Sequence, residues 1–187
     1  MENLQISCRV SKTGIGTIKF GTYVYNIVEV EIANMTNFKA FVPYWAELEV
    51  GDSFTSEKWY ITRFEREENN PIHLAIRVDF LEKTENYEPI KHFMCKVSGR
   101  FLTSDKCHIT TTGPTQKALY RCTIRLKDEE GEYFTVLLSG FQDVALKMST
   151  TPRYSIISGV ACVKPKKYSQ GYELCLSEFE IKSEKEN

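Results

Sequence analysis

Ile72-His73-Leu74-Ala75-Ile76-Arg77-Val78-Asp79-Phe80 decides the fold class. Ile72, Leu74, Ile76, Val78 and Phe80 alternate with His73, Ala75, Arg77 and Asp79. A period of two marks a strand with one face in a core and the other wet. About 100 residues later comes a counterpart, Tyr172-Glu173-Leu174-Cys175-Leu176-Ser177-Glu178-Phe179-Glu180-Ile181. Each is preceded by a second strand-like stretch. In the first half this runs from Gly51-Asp52-Ser53-Phe54 through Trp59-Tyr60-Ile61, and in the second from Thr151-Pro152-Arg153-Tyr154 through Gly159-Val160-Ala161-Cys162-Val163. The two pairs line up without large gaps, so the chain reads as one small β-unit used twice. The spacing is too long for a solenoid repeat and suits one compact domain per copy.

Working outward, the same period of two recurs. Val24, Val28, Val30 and Ile32 share a parity against Tyr23, Tyr25, Ile27, Glu29 and Glu31. In the second half Cys122, Ile124 and Leu126 oppose Arg121, Thr123, Arg125 and Lys127, and Phe134, Val136 and Leu138 follow after the turn Asp128-Glu129-Glu130-Gly131-Glu132. Copy one reads as strands near 4–12, 20–33, 37–45, 53–65 and 71–83; copy two as strands near 92–104, 117–127, 132–140, 153–164 and 171–183. One helix is predicted, at Phe141-Gln142-Asp143-Val144-Ala145-Leu146-Lys147-Met148, where Val144, Ala145 and Met148 share a face. The equivalent stretch of copy one, Ala46 to Val50, is too short for more than a turn. The domains expected are therefore residues 1–83 and 92–183, joined by a short polar connector at 84–91 that contains Pro89, with a frayed charged tail at 184–187.

Composition sets bounds. The 187 residues allow two modules that can each bury a core. The aromatics (2 Trp, 10 Tyr, 11 Phe) are weighted toward strand formers. No apolar run approaches the roughly 18 residues of a membrane span, and Met1-Glu2-Asn3-Leu4 lacks the features of a signal peptide. The expectation is an intracellular protein, nuclear or cytoplasmic, with no membrane association. Cys8, Cys95, Cys107, Cys122, Cys162 and Cys175 form no C-x-x-C pair and read as buried free thiols in a reducing compartment. Cys107-His108 has no second pair at ligand spacing, so neither metal nor other cofactor is expected. The net charge of −1 hides an asymmetry: residues 1–90 carry −5 and residues 91–187 carry +4. The second copy is the better candidate for a polyanion, and the first for a protein partner.

Five strands with a helix or turn between the third and fourth is the plan of the OB-fold barrel. Copy two resembles OB-fold single-stranded DNA-binding proteins, including those of the replication protein A and SSB type. The resemblance rests on the first strand Phe93-Met94-Cys95-Lys96-Val97-Ser98-Gly99-Arg100, on Gly140 and Ala145 around the third strand and helix, and on Ile157-Ser158-Gly159-Val160. A basic loop into Gly171-Tyr172-Glu173-Leu174-Cys175-Leu176 completes it. It covers most of residues 92–182. Copy one departs from it, lacking the helix and carrying Trp59 where copy two has Gly159, so its assignment rests on the duplication. The fold expected is all-β: two tandem five-stranded OB-like barrels, with one short helix between strands three and four of the second.

The resemblance implies a ligand surface on strands two and three and on the loops after strands one and four. Single strands need aromatic faces for bases and cations for phosphates. In copy two that surface draws Arg121, Thr123 and Arg125 from strand two and Tyr133 and Thr135 from strand three. Arg100 ends strand one. The loop 103–116 adds Lys106 and His108, and the loop 164–171 adds Lys164, Lys166, Lys167 and Tyr168. The competing interpretation is that these are ordinary solvated residues. In copy one the outward parity supplies Tyr23, Tyr25, Lys39, Phe41 and Trp45, an aromatic platform with few cations. It suits stacked bases or a protein interface equally.

No catalytic constellation is visible. His73, His92 and His108 lie far apart, and there is no P-loop and no H-E-x-x-H. The leading expectation is a non-enzymatic single-stranded DNA-binding protein of replication, recombination, repair or end protection, with RNA as the other strand it could take and an oligomer compatible. The alternatives are an OB-fold interaction subunit of a nucleoprotein complex, and a viral β-barrel structural or movement protein.

Overall fold

The computed structural model describes residues 4–64, 73–102, 110–112, 117–127, 131–166 and 171–182. The chain divides into two compact units, the first running to Phe93 and the second beginning at Met94.

Unit 1 contains β1 (Ile6–Phe20), β2 (Tyr23–Ile32), β3 (Met35–Pro43), β4 (Ser53–Phe64) and β5 (His73–Thr84). They close into a barrel in the order β1-β2-β3-β5-β4, the ring being completed by β1 against β4 from Ile6↔Ser56 to Arg9↔Ser53. All neighbours are antiparallel except β3 and β5, which run parallel through Lys39↔Ala75, Ala40↔Ile76 and Phe41↔Arg77. β5 keeps the expected alternation from Leu74 to Val78: Leu74, Ile76 and Val78 are buried with Cys8, Val10, Val28, Val30, Phe38, Ala40 and Phe54 in the core. Two residues depart from it: Ala75, expected on the wet side, is buried in a second cluster on the other face, and Phe80, expected inside, is exposed beside the register shift between Lys58 and Trp59. A short 3₁₀ turn, Tyr44–Ala46, stands after β3 and ends on left-handed Glu47.

Two sequence boundaries move. Residues 13–17 are not a loop: β1 continues to Phe20, and Gly14 (φ +69°) and Gly16 (φ +151°) take up the irregularity between Lys12 and Gly16 that lets the strand bend and stay paired. Trp45, counted as the end of the third strand, lies instead in the 3₁₀ turn, because the chain leaves the sheet at Pro43. The segment after β5 folds back on unit 1. The Tyr87 hydroxyl donates to the Glu31 carbonyl, and the buried Phe93 ring packs 5.4 Å from Phe38 and 5.3 Å from Trp59. Burying a side chain of that size stabilises by about 1.5–3 kcal/mol.

Unit 2 contains β6 (Met94–Leu102), β7 (Thr110–Thr112), β8 (Lys117–Lys127), β9 (Tyr133–Phe141), α1 (Asp143–Thr150), β10 (Ile156–Pro165) and β11 (Tyr172–Lys182). Its order is β6-β10-β11-β9-β8, with the short β7 beyond β8, and β8 pairs back onto β6 from Gly99↔Leu126 to Leu102↔Thr123. Its parallel pair is β9 with β11. Leaving β7 aside, this is the cyclic order of unit 1, so the duplication read from sequence is a duplication of topology. The predicted helix forms as α1 between the third and fourth main strands, burying Ala145 and Met148. It sits so close to β9 that a Cβ on Gly140 would lie 2.4 Å from Met148 Sδ and 2.8 Å from Val144 Cγ1.

Candidate nucleic-acid interface

In unit 2, alternation along β8 points Cys122, Ile124 and Leu126 into the core and leaves Arg121, Thr123, Arg125 and Lys127 exposed. On β9, Phe134, Val136 and Leu138 are buried, while Tyr133 and Thr135 are exposed. Directly paired residues share a face, so register assembles the site. Arg125 stands between Arg100 of β6 and Thr135 of β9; Thr123 lies between Leu102 and Leu137; Lys127 faces Tyr133, with its Nζ 5.7 Å from the ring centroid. Arg121 faces Ser139. Arg100 and Arg125 stand directly opposite each other across the β6–β8 ladder. Thus Arg100, Arg121, Thr123, Arg125 and Tyr133 share one face, joined by Lys127. Lys164 lies toward the other end of β9, its Nζ 6.0 Å from the Phe141 ring and its backbone in register with Glu173. The Lys166 amide donates to the Gly171 carbonyl at the base of the last loop. Lys106, His108, Lys167 and Tyr168 lie outside the described residues.

The same face of unit 1 is occupied by the protein itself. Tyr25, Ile27, Phe41 and Ala75 form a buried cluster on which Ile15, Ile18, Phe20 and Phe64 pack. Phe20 sits 5.4 Å from both Tyr25 and Phe41, and Phe64 lies 6.1 Å from Phe41. Phe41 is 0% and Tyr25 6% exposed. The expectation that these two rings form an open platform is therefore corrected: the continuation of β1 lays its own apolar side chains over them. Lys39 is also engaged, in an ion pair with Glu29, its partner across the ladder. The most exposed rings lie at the end of the barrel, at Tyr23 on the hairpin after β1 and at Tyr44 and Trp45 on the 3₁₀ turn; Phe80 and Tyr60 are less exposed.

Beside those rings lies a group that in the sequence reads only as the wet side of a strand. Arg77 Nε and Nη2 donate to the two Asp79 carboxylate oxygens at 2.9 and 3.1 Å, and the Tyr25 hydroxyl donates to Asp79 Oδ1 at 2.8 Å. The guanidinium carbon lies 5.3 Å from the Phe20 and Tyr60 ring centroids and 5.9 Å from that of Tyr25. Burial, together with the bond to Asp79 and its charge, pushes the Tyr25 hydroxyl up to about 12. The signal that could have found this site was Arg77 and Asp79, two apart on one strand and therefore on one face, beside a parity that holds aromatic residues.

These two barrels define the class: tandem OB-like modules in a single chain. No protein-family model matches the chain, and no curated protein matches it in sequence. Solved structures do. A deletion variant of the single-stranded DNA binding protein from Thermus aquaticus matches 98% of this chain and 95% of its own, with a TM-score of 0.65 at 10% identity. The wild-type protein from the same organism matches 96% of this chain and 92% of its own, with a TM-score of 0.63 at 8% identity. At that identity the likeness establishes the fold, and it spans both units. Among the described residues, no helix is long and apolar enough to cross a membrane.

Proposed function

We propose that this chain is a non-enzymatic binder of single-stranded nucleic acid, DNA before RNA, that tracks the strand on unit 2. The observation that carries the proposal is the open row of Arg100, Arg121, Arg125 and Lys127 with Tyr133, on the strands where OB folds take their ligands. Cations placed there neutralise phosphates, and an exposed ring among them stacks a base at about 1–3 kcal/mol. The overall pI near 6.3 is compatible, because the charge is local to one face. The tandem-barrel likeness to a bacterial single-stranded DNA binding protein supports the same ligand and a role in replication, recombination, repair or end protection.

Anisotropy of a labelled oligo-dT of about 25 nucleotides tests this. Binding should be micromolar or tighter at about 50 mM salt and weaken steadily as salt rises. No binding below about 10 µM sinks the proposal. It would promote a second reading, an interaction subunit that docks a protein on the acidic unit 1. That reading is favoured by the exposure of Tyr23, Tyr44 and Trp45.

A further inference from the structure

We infer that the end of the first barrel holds a pocket for one unpaired nucleobase, built on the Arg77–Asp79 pair. The inference rests on the single-strand reading for its ligand, but it concerns unit 1, whose mid-sheet face is filled by its own side chains. The pocket, about 580 Å³, is lined by Phe20, Tyr23, Tyr44, Trp45, Arg77 and Asp79 among others. That is a size typical of small-molecule sites. Tyr23, Tyr44 and Trp45 are 72%, 62% and 61% exposed, and the Trp45 ring is steadied by Phe80, 6.4 Å away, so exposed aromatic surface remains for a planar guest.

The chemistry selects the guest. The two charges lining the pocket, Arg77 and Asp79, cancel. A phosphate entering it would meet a carboxylate, and a purely apolar side chain would strip that carboxylate of water without replacing the hydrogen bond. Asp79 Oδ1 already accepts from Tyr25 and Arg77 Nε, whereas Oδ2 accepts from Arg77 Nη2 and keeps room for one more donor. The Asp79 side chain is 30% exposed. The fitting ligand is a neutral planar ring with an edge N–H for Oδ2 and two π faces for the tyrosines and Trp45. A nucleobase has all of these.

The test follows the indole N–H resonances in nitrogen-15 NMR of the full chain. Trp45 is at the pocket; Trp59, whose Nε1 donates to the Leu4 carbonyl, is the internal control. Millimolar thymidine should shift the Trp45 signal and leave Trp59 unmoved. N3-methylthymidine, which lacks the edge N–H, should shift it less, and Tyr44→Ala, at an exposed position, should reduce the response. Asp79→Asn should weaken oligo-dT binding roughly tenfold, the worth of a hydrogen bond to a charged acceptor. If the pocket met phosphate instead, losing that negative charge would tighten binding, and the inference would be overturned. Oligo-dT binding with Trp45 silent to both ligands overturns the pocket and leaves the single-strand proposal standing. A thymidine response without oligo-dT binding does the reverse. Silence in both assays overturns both.

Discussion

In both units the second and third main strands carry outward side chains, but among the described residues one of these faces is covered and the other is not. On β8 and β9 the outward positions include Arg121, Thr123, Arg125, Tyr133 and Thr135, all exposed, with Leu137 half-buried and Ser139 buried toward the far end. On β2 and β3 they include Tyr25, Ile27 and Phe41, all buried. The topology is shared; the difference lies in the strand before. β1 runs on through a bulge to Phe20 and folds Ile15, Ile18 and Phe20 over its own sheet. β6 ends at Leu102. Outward on a barrel does not mean exposed. A barrel face becomes available to a ligand only where no other segment of the chain has claimed it, and in unit 1 that leaves the barrel end.

The sharpest way to break this comparison is to truncate one residue from each face. Phe41→Ala should destabilise unit 1 by about 3–5 kcal/mol, the cost of a large core ring. Arg121→Ala should stay within about 0.5 kcal/mol, as surface substitutions do. Urea unfolding followed by tryptophan fluorescence reads unit 1 directly, since Trp45 and Trp59 both lie there. If Phe41→Ala proves neutral, the covered face is not a second core. Next in size is Gly140→Ala, which drives a Cβ into Met148 and Val144. It should cost unit 2 about 1–3 kcal/mol, seen as faster hydrogen exchange within residues 94–182 while the tryptophan transition stays put.

Binding should divide along the same line. Replacing Arg121 and Arg125 together with Ala should weaken oligo-dT binding roughly tenfold or more. It should also lower the salt slope by about 1.4, at about 0.7 per phosphate contact on a single strand. Replacing Tyr23 and Tyr44 together should do less to affinity and leave the salt slope unchanged, because stacking releases no counterions. A tyrosine pair more damaging than the arginine pair would invert the roles given to the two units.

The alternation of Leu74, Ile76 and Val78, the helix after the ninth strand and the parity of β8 are all legible, because each is a local periodicity. What was not legible depends on contacts distant in sequence. Tyr25 and Phe41 have the outward parity assigned to them, yet nothing in their neighbourhood shows that residues 15–20 will cover them. Thr13-Gly14-Ile15-Gly16-Thr17 looks like a loop because glycine usually punctuates; here it lets a strand bulge and continue. Parity carries the third strand on to Trp45, but the sheet ends at Pro43. Arg77 and Asp79 stood in plain view as polar residues on a strand. Their partners, Phe20, Tyr25 and Tyr60, come from three other strands.

The smallest effect probes the link between the covered face and the barrel end, which is the Tyr25 hydroxyl. Its titration is raised to about 12 by burial and by the Asp79 carboxylate. A group whose folded value is raised contributes stability that is complete below its unfolded value, about 10 for tyrosine, and is lost as pH climbs through the folded value. Wild-type unit 1 should therefore lose stability between about pH 10 and 12. Burial pushes the Cys8 thiol in the same direction, so the decline is shared, and the comparison with Tyr25→Phe isolates the phenol. At pH 7 that variant should lose about 1 kcal/mol with its hydrogen bond. Above pH 10 the gap should close, because the wild type must then either ionise beside Asp79 or release the contact. Parallel curves across that range would mean that the Tyr25–Asp79 bond does not tie the covered cluster to the pocket floor.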